Sequence, residues 1–158
     1  MAGGPVFLSN VAMRPLGPAL EFMRALWALD HAFQSASKRM ESRLGVTAPQ
    51  RLVVRIVGRF PRISAGEVAE ILHVHPSTLT GVLKRLESRG VIVRTADPRD
   101  GRRALLALTG RGRELDQLRS GTVESAVRKV LARMPAQTSR SARSLAEALA
   151  AELNEQAE

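Results

Sequence analysis

The chain has no cysteine and no tyrosine, and only 3% of its 158 residues are aromatic. The missing cysteines exclude disulfides, Cys-ligated zinc, iron–sulfur clusters and thiol redox switches. Four Phe and one Trp also leave little aromatic surface for stacking unpaired bases, which argues against recognition of single-stranded RNA. Hydrophobic residues nevertheless make up 44% of the chain, so we expect a core built from aliphatic side chains.

Long apolar segments are also absent. No run approaches the roughly 20 apolar residues that a bilayer-spanning helix needs, and we expect no membrane partner. The first residues, MAGGPVFLSN, lack the basic start and the long apolar stretch of a secretory signal. The default expectation is therefore a cytoplasmic protein.

The chain also lacks the residue groupings that would support catalysis or metal binding. His73 and His75 could chelate a metal, but the only further histidine is His31, and a metal site needs three or four ligands. There is no Gly-rich phosphate loop and no nucleophile beside a base. Asp97 and Asp100 lie among arginines and lack the enclosed site that acid–base chemistry requires. We predict no metal, no cofactor and no enzymatic activity.

Positive charge is what the chain has in excess. It contains 24 Lys and Arg residues against 15 Asp and Glu residues, a formal net charge of +9. Residues 47–109 contain 11 of the cations and 5 of the acids, so this segment carries +6 of the total. Such a field attracts polyanions. The codon usage of a GC-rich genome would explain arginine in place of lysine, but it would not explain the clustering.

Residues 75–109 contain the most informative pattern. Pro76 opens a predicted helix whose first turns carry small hydroxyl side chains. Two short predicted strands, residues 91–94 and 104–108, follow around a mostly charged hairpin tip at residues 97–103. A helix that can enter the major groove, beside a basic hairpin that can reach the flanking groove, is typical of a winged helix-turn-helix. We therefore predict duplex DNA as the partner.

Helical periodicity covers most of the remaining chain, so the predicted fold class is mainly α with a small β-hairpin wing. Apolar residues recur at helical spacing across residues 18–44. Thr47 caps a second helix, Ser64 begins a capping box with Glu67, and a long helix is predicted over residues 110–134. The predicted buried stripe of the second helix comprises Leu52, Val53, Ile56, Val57 and Phe60.

The predicted helices at the two ends have more apolar positions than one helix face requires. We expect them to form a two-fold dimer, because two recognition helices about 34 Å apart can read successive major grooves of a palindrome. The predicted organisation is a flexible arm (1–17), dimerisation helices (18–45 and 110–158) and a winged helix-turn-helix DNA-binding domain (46–109). Alternatively, the outer helices pack only on their own winged core.

Three segments of the sequence resemble the MarR (multiple antibiotic resistance regulator) family of bacterial transcription factors. The recognition segment reads PSTLT and LKRLESRG, the wing reads VIVR and DPRDGRR, and LTGRG follows the wing. An Asp-rich and Arg-rich tip followed by Leu-Thr-x-x-Gly is specific, since many unrelated winged helices lack it. These segments are residues 76–80 with 83–90, 91–94 with 97–103, and 108–112.

The resemblance implies a homodimer that binds palindromic operator DNA, usually as a repressor. It also implies release from DNA when a small molecule, often an aromatic acid, enters a cleft between the lobes. Within the wing, the resemblance implies that Arg102 enters the minor groove and that Asp100 braces it.

The candidate DNA contacts are hydroxyl and cationic side chains of the predicted recognition helix and wing. Hydroxyls at a helix start can contact base edges or phosphates, with simple N-capping as the alternative. The cations either contact phosphates or remain solvated. The candidates are Ser77, Thr78, Thr80, Lys84, Arg85, Arg89, Arg99, Arg102, Arg103 and, as a turn histidine that touches phosphate, His75.

The resemblance places an effector cleft near Trp27, Asp30 and His31 on the first helix and Arg51 and Arg55 on the second. An arginine there could hold the carboxylate of an acidic effector. Alternatively these residues belong to the core and the surface, since a tryptophan on an apolar helix face is most often packing. The alternative function is a winged-helix DNA-binding protein without a small-molecule ligand, which acts by competition at promoters or through a protein partner.

Overall fold

The computed structural model describes residues 15–155, and in this range the fold is mainly α-helical with a small β wing. This confirms the predicted fold class. No helix within the described range is long and apolar enough to cross a membrane. Residues 1–14 of the predicted arm lie outside the described residues. The elements are α1 (Pro18–Leu44), α2 (Ala48–Arg59), α3 (Ala65–Leu72), α4 (Pro76–Ser88), β1 (Ile92–Asp97), β2 (Asp100–Leu108), α5 (Gly110–Gln117), α6 (Val123–Leu131) and α7 (Ala136–Glu155).

The chain divides into two compact units, and the division falls within α1 between Ser35 and Ala36. In the first unit, α1 exposes its large apolar side chains, of which Trp27 is the most exposed at 80%. The second unit contains the last turns of α1 and all later elements, and Ser37 and Met40 are buried.

One aliphatic core holds the second unit together. The helices α2 to α5 and the wing contribute to it. The α4 helix buries Leu79, Leu83 and Leu86, which are spaced by four and three residues on one helix face. The opposite face of α4 therefore lies in solvent. The core residues are Val46, Val53, Val54, Ile56, Val57, Ile63, Val68, Ala69, Leu79, Leu83, Leu86, Val91, Ile92, Leu106 and Leu115.

The wing is joined to the helices through a short third strand. Leu106 N donates to Ile63 O at 2.8 Å, and Ser64 forms a β-bridge with Leu105. The residues just before α3 thus extend the sheet along β2. As a result, the start of α3 and the wing are fixed to each other by the backbone.

The two wing strands are longer than predicted. They pair antiparallel from Ile92 opposite Leu108 to Asp97 opposite Asp100, with an irregularity after Ala96. The turn is therefore Pro98-Arg99, and most of the predicted seven-residue tip lies in the strands. Backbone pairing continues into the charged residues because strand pairing depends on the ladder hydrogen bonds rather than on apolar side chains.

The segment after the wing is fixed by Thr109 and Gly112. Thr109 Oγ1 donates to Gly90 O at 2.7 Å and, as the N-cap of α5, accepts from Gly112 N at 3.1 Å. A Cβ atom at position 112 would overlap Val91 O, so only glycine fits there. The Leu-Thr-x-x-Gly pattern thereby packs α5 against the end of α4 and the start of the wing.

The prediction of one helix over residues 110–134 is wrong, because α5 and α6 are separate. Leu118 takes an extended conformation with ψ at 132°, and Gly121 has a φ of 70°, which favours glycine. Thr122 then accepts a hydrogen bond from Ser125 N at 3.1 Å as the N-cap of α6. A glycine and an internal cap together end one helix and begin the next.

Two of the predicted core positions in α2 are also wrong. Leu52 and Phe60 are 51% and 49% exposed. Val53, Ile56 and Val57 are buried as predicted, and Val54 is buried in addition. The buried face is therefore centred further around the helix axis, toward Val54 and away from Leu52.

Candidate nucleic-acid interface

The first turn of α4 is exposed and capped by a histidine. His75 Nδ1 accepts from Ser77 N at 3.3 Å and lies 2.7 Å from Ser77 Oγ. Thr80 Oγ1 donates to Pro76 O at 2.9 Å, and Thr78 is exposed. Because His75 supplies the N-cap, the hydroxyl side chains of this turn stay at the surface, where a ligand can reach them.

Two cations lie on the outer face of α4. Lys84 and Arg85 are exposed. Within residues 15–155, neither side chain forms a hydrogen bond or an ion pair. Their charges are therefore available to an anion in solution.

Arg89, the third predicted cation of this helix, is half-buried at the C-cap of α4. Its Nη2 forms an ion pair with Glu41 Oε1 at 3.1 Å. Its Nη1 donates to Gln50 Oε1 at 3.2 Å and also to Gly45 O. Arg89 therefore differs from Lys84 and Arg85 in that the protein itself already binds its guanidinium.

The tip of the wing carries Arg99, whose side chain is exposed and whose backbone N donates to Asp97 Oδ1 at 3.0 Å. Asp100 begins β2 and is exposed. Arg102 lies on β2, but its side chain is outside the part of the structure that is described. The brace between Asp100 and Arg102 therefore stays a prediction.

Arg103 connects the wing to the start of α3. Its Nη2 lies 3.3 Å from Ser64 Oγ and 3.4 Å from Glu67 Oε2. Ser64 and Glu67 form the predicted capping box, in which Glu67 Oε2 accepts from Ser64 N at 2.8 Å and from Ser64 Oγ at 2.6 Å. The hydrogen bonds from Ser64, followed by the charge of Arg103, lower the pKa of Glu67. Arg103 is thus half of an exposed ion pair that joins β2 to α3.

Arg51, a predicted effector residue, is 2% exposed and binds the C-terminal end of α5. Its guanidinium donates to Leu115 O and, at 2.7 Å, to Leu118 O. It also lies 3.5 Å from Glu124 Oε2. Burial lowers the pKa of Arg51, and the neighbouring Glu124 carboxylate opposes that shift.

Arg55 binds the same end of α5 one helical turn further along α2. It donates to Asp116 O at 2.9 Å, pairs with the Asp116 carboxylate and lies 3.3 Å from Glu124 Oε2. We call Arg51, Arg55, Asp116 and Glu124 the arginine clasp. The clasp joins α2 to the break between α5 and α6.

The other predicted effector residues, Trp27 and His31, are exposed on the first unit, as is Asp30. The partners Glu41, Asp116 and Glu124 were not among the predicted site residues. Nothing in the local sequence marks them, because each meets its arginine across tens of residues. No group of three or more His, Cys, Asp or Glu within residues 15–155 could hold a metal ion.

Comparison with known proteins identifies the family. A model of the MarR family matches residues 44–103, which run from the end of α1 to the first half of β2 in the wing. An HTH-type transcriptional repressor of Mycobacterium tuberculosis, Rv2887, is 34% identical over 108 residues, which are 68% of this chain and 78% of the repressor. The chain belongs to the MarR family. It is a DNA-binding transcriptional regulator, and the prediction that it is not an enzyme is confirmed by this membership.

Solved structures extend the likeness of this MarR-family regulator over most of the chain. The PcaV transcriptional regulator of Streptomyces coelicolor, solved in complex with its natural ligand, is 25% identical with a TM-score of 0.61, and the match covers 95% of this chain and 97% of PcaV. MepR of S. aureus, solved in complex with DNA, has a TM-score of 0.68 over 82% of this chain and 97% of MepR. At 16% identity, the match to MepR shows the fold alone.

We predict that Arg51→Ala destabilises the regulator strongly. The substitution removes the buried guanidinium that donates to the Leu115 and Leu118 carbonyls and takes one of three cations from Glu124, which keeps Arg55 and Arg128. Because two charge-assisted hydrogen bonds are lost in a buried place, we expect a loss of about 3–5 kcal/mol in the free energy of unfolding. Urea denaturation followed by circular dichroism measures it. The control is Arg119→Ala, which removes an exposed donor to another carbonyl of α5 and should cost less than about 1 kcal/mol. Equal stability of the two variants would contradict the stabilising role of Arg51 in the clasp.

We also predict that Glu67 contributes an acid-sensitive part of the stability. Because the pKa of Glu67 is lowered by folding, its contribution is fully present above the ordinary pKa of a glutamate and is lost as the pH falls through the lowered value. Glu67→Gln keeps an acceptor for Ser64 N but cannot titrate. Urea midpoints measured from about pH 7 down to about pH 3 should therefore fall more steeply in the wild type. Parallel pH profiles would show that the shift is absent.

Proposed function

We propose that this MarR-family regulator is a homodimeric repressor that binds a palindromic operator through α4 and the wing and is released by a small-molecule effector. The observation that carries the proposal is the outer face of α4. It exposes hydroxyls near its start and the cations Lys84 and Arg85, which have no partner in the part of the chain that the structure describes. A target on chromosomal DNA also agrees with the expected cytoplasmic location.

The DNA contacts that we propose on α4 follow from the exposure of the side chains and from their position along the helix. Ser77, Thr78 and Thr80 lie at the N-terminal end of α4, the end of a recognition helix that contacts base edges. Lys84 and Arg85 lie further along, where they can neutralise phosphates. In the wing, we propose contacts from Arg99 and Arg102, and His75 stays a candidate for a phosphate contact beside the helix start.

The outer helices support a dimer. Monomeric soluble proteins rarely expose large contiguous apolar patches, whereas α1 exposes seven large apolar side chains, α6 three and α7 two. An isologous interface between two copies would bury them and would also place two recognition helices on one palindrome. The exposed residues are Leu20, Phe22, Met23, Leu26, Trp27, Leu29 and Phe33 on α1, Val127, Val130 and Leu131 on α6, and Leu145 and Leu153 on α7.

The proposal of a small-molecule effector is supported by the likeness to PcaV, whose solved structure contains its natural ligand. Trp27 and His31 are exposed and could line a binding cleft in the dimer. Arg51 and Arg55 could reach an acidic effector only by giving up the carbonyl and carboxylate groups of the clasp. This cost favours an effector that is held by Trp27 and His31. It also keeps open the alternative of a regulator without an effector, which acts by competition at promoters or through a protein partner.

Fluorescence anisotropy with duplex DNA from upstream of the protein's own gene tests operator binding. We expect nanomolar affinity, within the usual range of about 10⁻⁸ to 10⁻¹¹ M for specific regulators, and much weaker binding to a scrambled duplex. Two chains should bind each duplex, as measured by light scattering after gel filtration. Arg85→Ala should weaken binding to both duplexes and reduce the salt slope by about 0.9 per protomer. Equal, weak wild-type binding to both duplexes would count against specific recognition of this DNA.

A thermal shift assay with small aromatic acids tests for an effector. A ligand that binds the folded state should raise the melting temperature in proportion to the logarithm of its concentration. Trp27→Ala should abolish the shift, whereas the control Phe60→Ala, which removes an exposed aromatic at the C-cap of α2, should retain it. If no acid shifts the wild type or releases it from DNA, the alternative without an effector is favoured.

A further inference from the structure

We infer that Arg89 is a positioning residue rather than a DNA contact: it fixes the C-terminal end of α4 to the last turns of α1 and thereby sets how α4 meets DNA. This inference rests on the proposed function, in which α4 is the recognition helix. It concerns an arginine that, from the sequence alone, is grouped with Lys84 and Arg85 as a phosphate contact.

The geometry around the Arg89 guanidinium carries the inference. One nitrogen, Nη2, pairs with Glu41 Oε1 at 3.1 Å. The other, Nη1, donates to Gln50 Oε1 at 3.2 Å and to Gly45 O. Glu41 lies in the last turn of α1, Gly45 follows that helix, and Gln50 lies in the first turn of α2. A single side chain of α4 thus binds three successive parts of the junction between α1 and α2.

The acceptors of Arg89 are themselves held in place. Gln50 is buried, and its Oε1 also accepts from Thr47 N at 3.1 Å within the capping box of α2. Gly45 has a φ of 75°, a conformation that favours glycine and ends α1. The Arg89 carbonyl in turn accepts from Arg111 Nη1 of α5 at 3.1 Å. The end of α4 is therefore linked to α1 and α2 by its side chain and to α5 by its backbone.

A phosphate could bind Arg89 only in competition with these groups. Lys84 and Arg85, on the same helix, have no such competitors among the described residues. A guanidinium with three acceptors in fixed positions acts as a rigid connection, because its planar fork determines the direction of each hydrogen bond. A shift of Glu41 and Gly45 would consequently move the end of α4, so a displacement of the last turn of α1 reaches the recognition helix through Arg89.

Variants at both ends of this connection distinguish positioning from phosphate contact. A lost phosphate contact weakens binding to all sequences equally and reduces the salt slope. A displaced recognition helix instead loses affinity for the operator while keeping its affinity for a scrambled duplex. We expect Arg89→Ala to reduce operator affinity by about tenfold, in line with the coupling energies of residues in one network. Binding to the scrambled duplex should fall far less, because only one long-range charge is lost there. The matched control, Arg85→Ala, should weaken both.

Glu41→Ala provides a second test, in which the positioning role and simple electrostatics predict opposite changes in operator affinity. Removal of an acidic charge from a DNA-binding protein would by electrostatics alone strengthen binding to any duplex. If Glu41 holds Arg89 in position, this variant should instead weaken operator binding, and the loss in the double variant should be smaller than the sum of the two single losses. Glu41→Ala also keeps the inference testable if Arg89→Ala does not fold.

The measurement is fluorescence anisotropy with the upstream duplex and with its scramble, repeated at several salt concentrations. Only variants whose melting temperatures show that they are folded at the assay temperature are compared. Equal weakening on both duplexes with a reduced salt slope, or no effect of Arg89→Ala on the operator preference, would overturn the positioning role. A wild-type protein without operator preference would overturn the proposed function on this DNA, and the inference with it. An operator-specific loss in both Arg89→Ala and Glu41→Ala would support the inference.

Discussion

The structure depends on arginines that satisfy carbonyl groups at the ends of neighbouring elements. The last four carbonyls of a helix have no partner within the helix, and they carry a partial negative charge. Arg51 and Arg55 bind those of α5, Arg89 binds the residue after α1, and Arg111 binds the end of α4. A small fold of short helices has many such ends, and arginine can bridge two acceptors at once. These contacts fix the ends of helices that also share the aliphatic core.

This arrangement changes what the net charge of the protein means. A count of +9 treats every arginine as available to a polyanion, yet several guanidinium groups of the second unit are bound by carbonyls and carboxylates of the protein. On α4 and the wing, the cations without a partner among the described residues are Lys84, Arg85 and Arg99. Long-range attraction of DNA still depends on the whole charge, whereas the close contacts that we propose depend on a few exposed cations. Encounter therefore draws on all the cations, and the proposed recognition draws on a small part of them.

Much of the fold could be predicted from the sequence, because its signals are local. Pro76 marked the start of α4, Ser64 and Glu67 formed the predicted capping box, and the charged hairpin followed at the predicted place. The failures have equally physical causes. The break between α5 and α6 depends on a glycine and a cap within a periodic stretch. The roles of Arg51, Arg89 and Arg103 depend on partners that only the tertiary fold brings near, so their exposure could not be derived from their spacing.

The forked shape of the bound arginines has a consequence for how the sequence can drift over evolution. A lysine at position 51 or 89 would keep the charge, but its single ammonium group cannot reproduce the directed contacts of a planar guanidinium with two or three separate acceptors. Exchange between arginine and lysine should therefore be disfavoured at these two positions. At positions 84 and 85 either residue is adequate, and the chain already uses one of each. Substitution patterns among homologous chains would then separate the cations that build this protein from those that we propose to contact DNA.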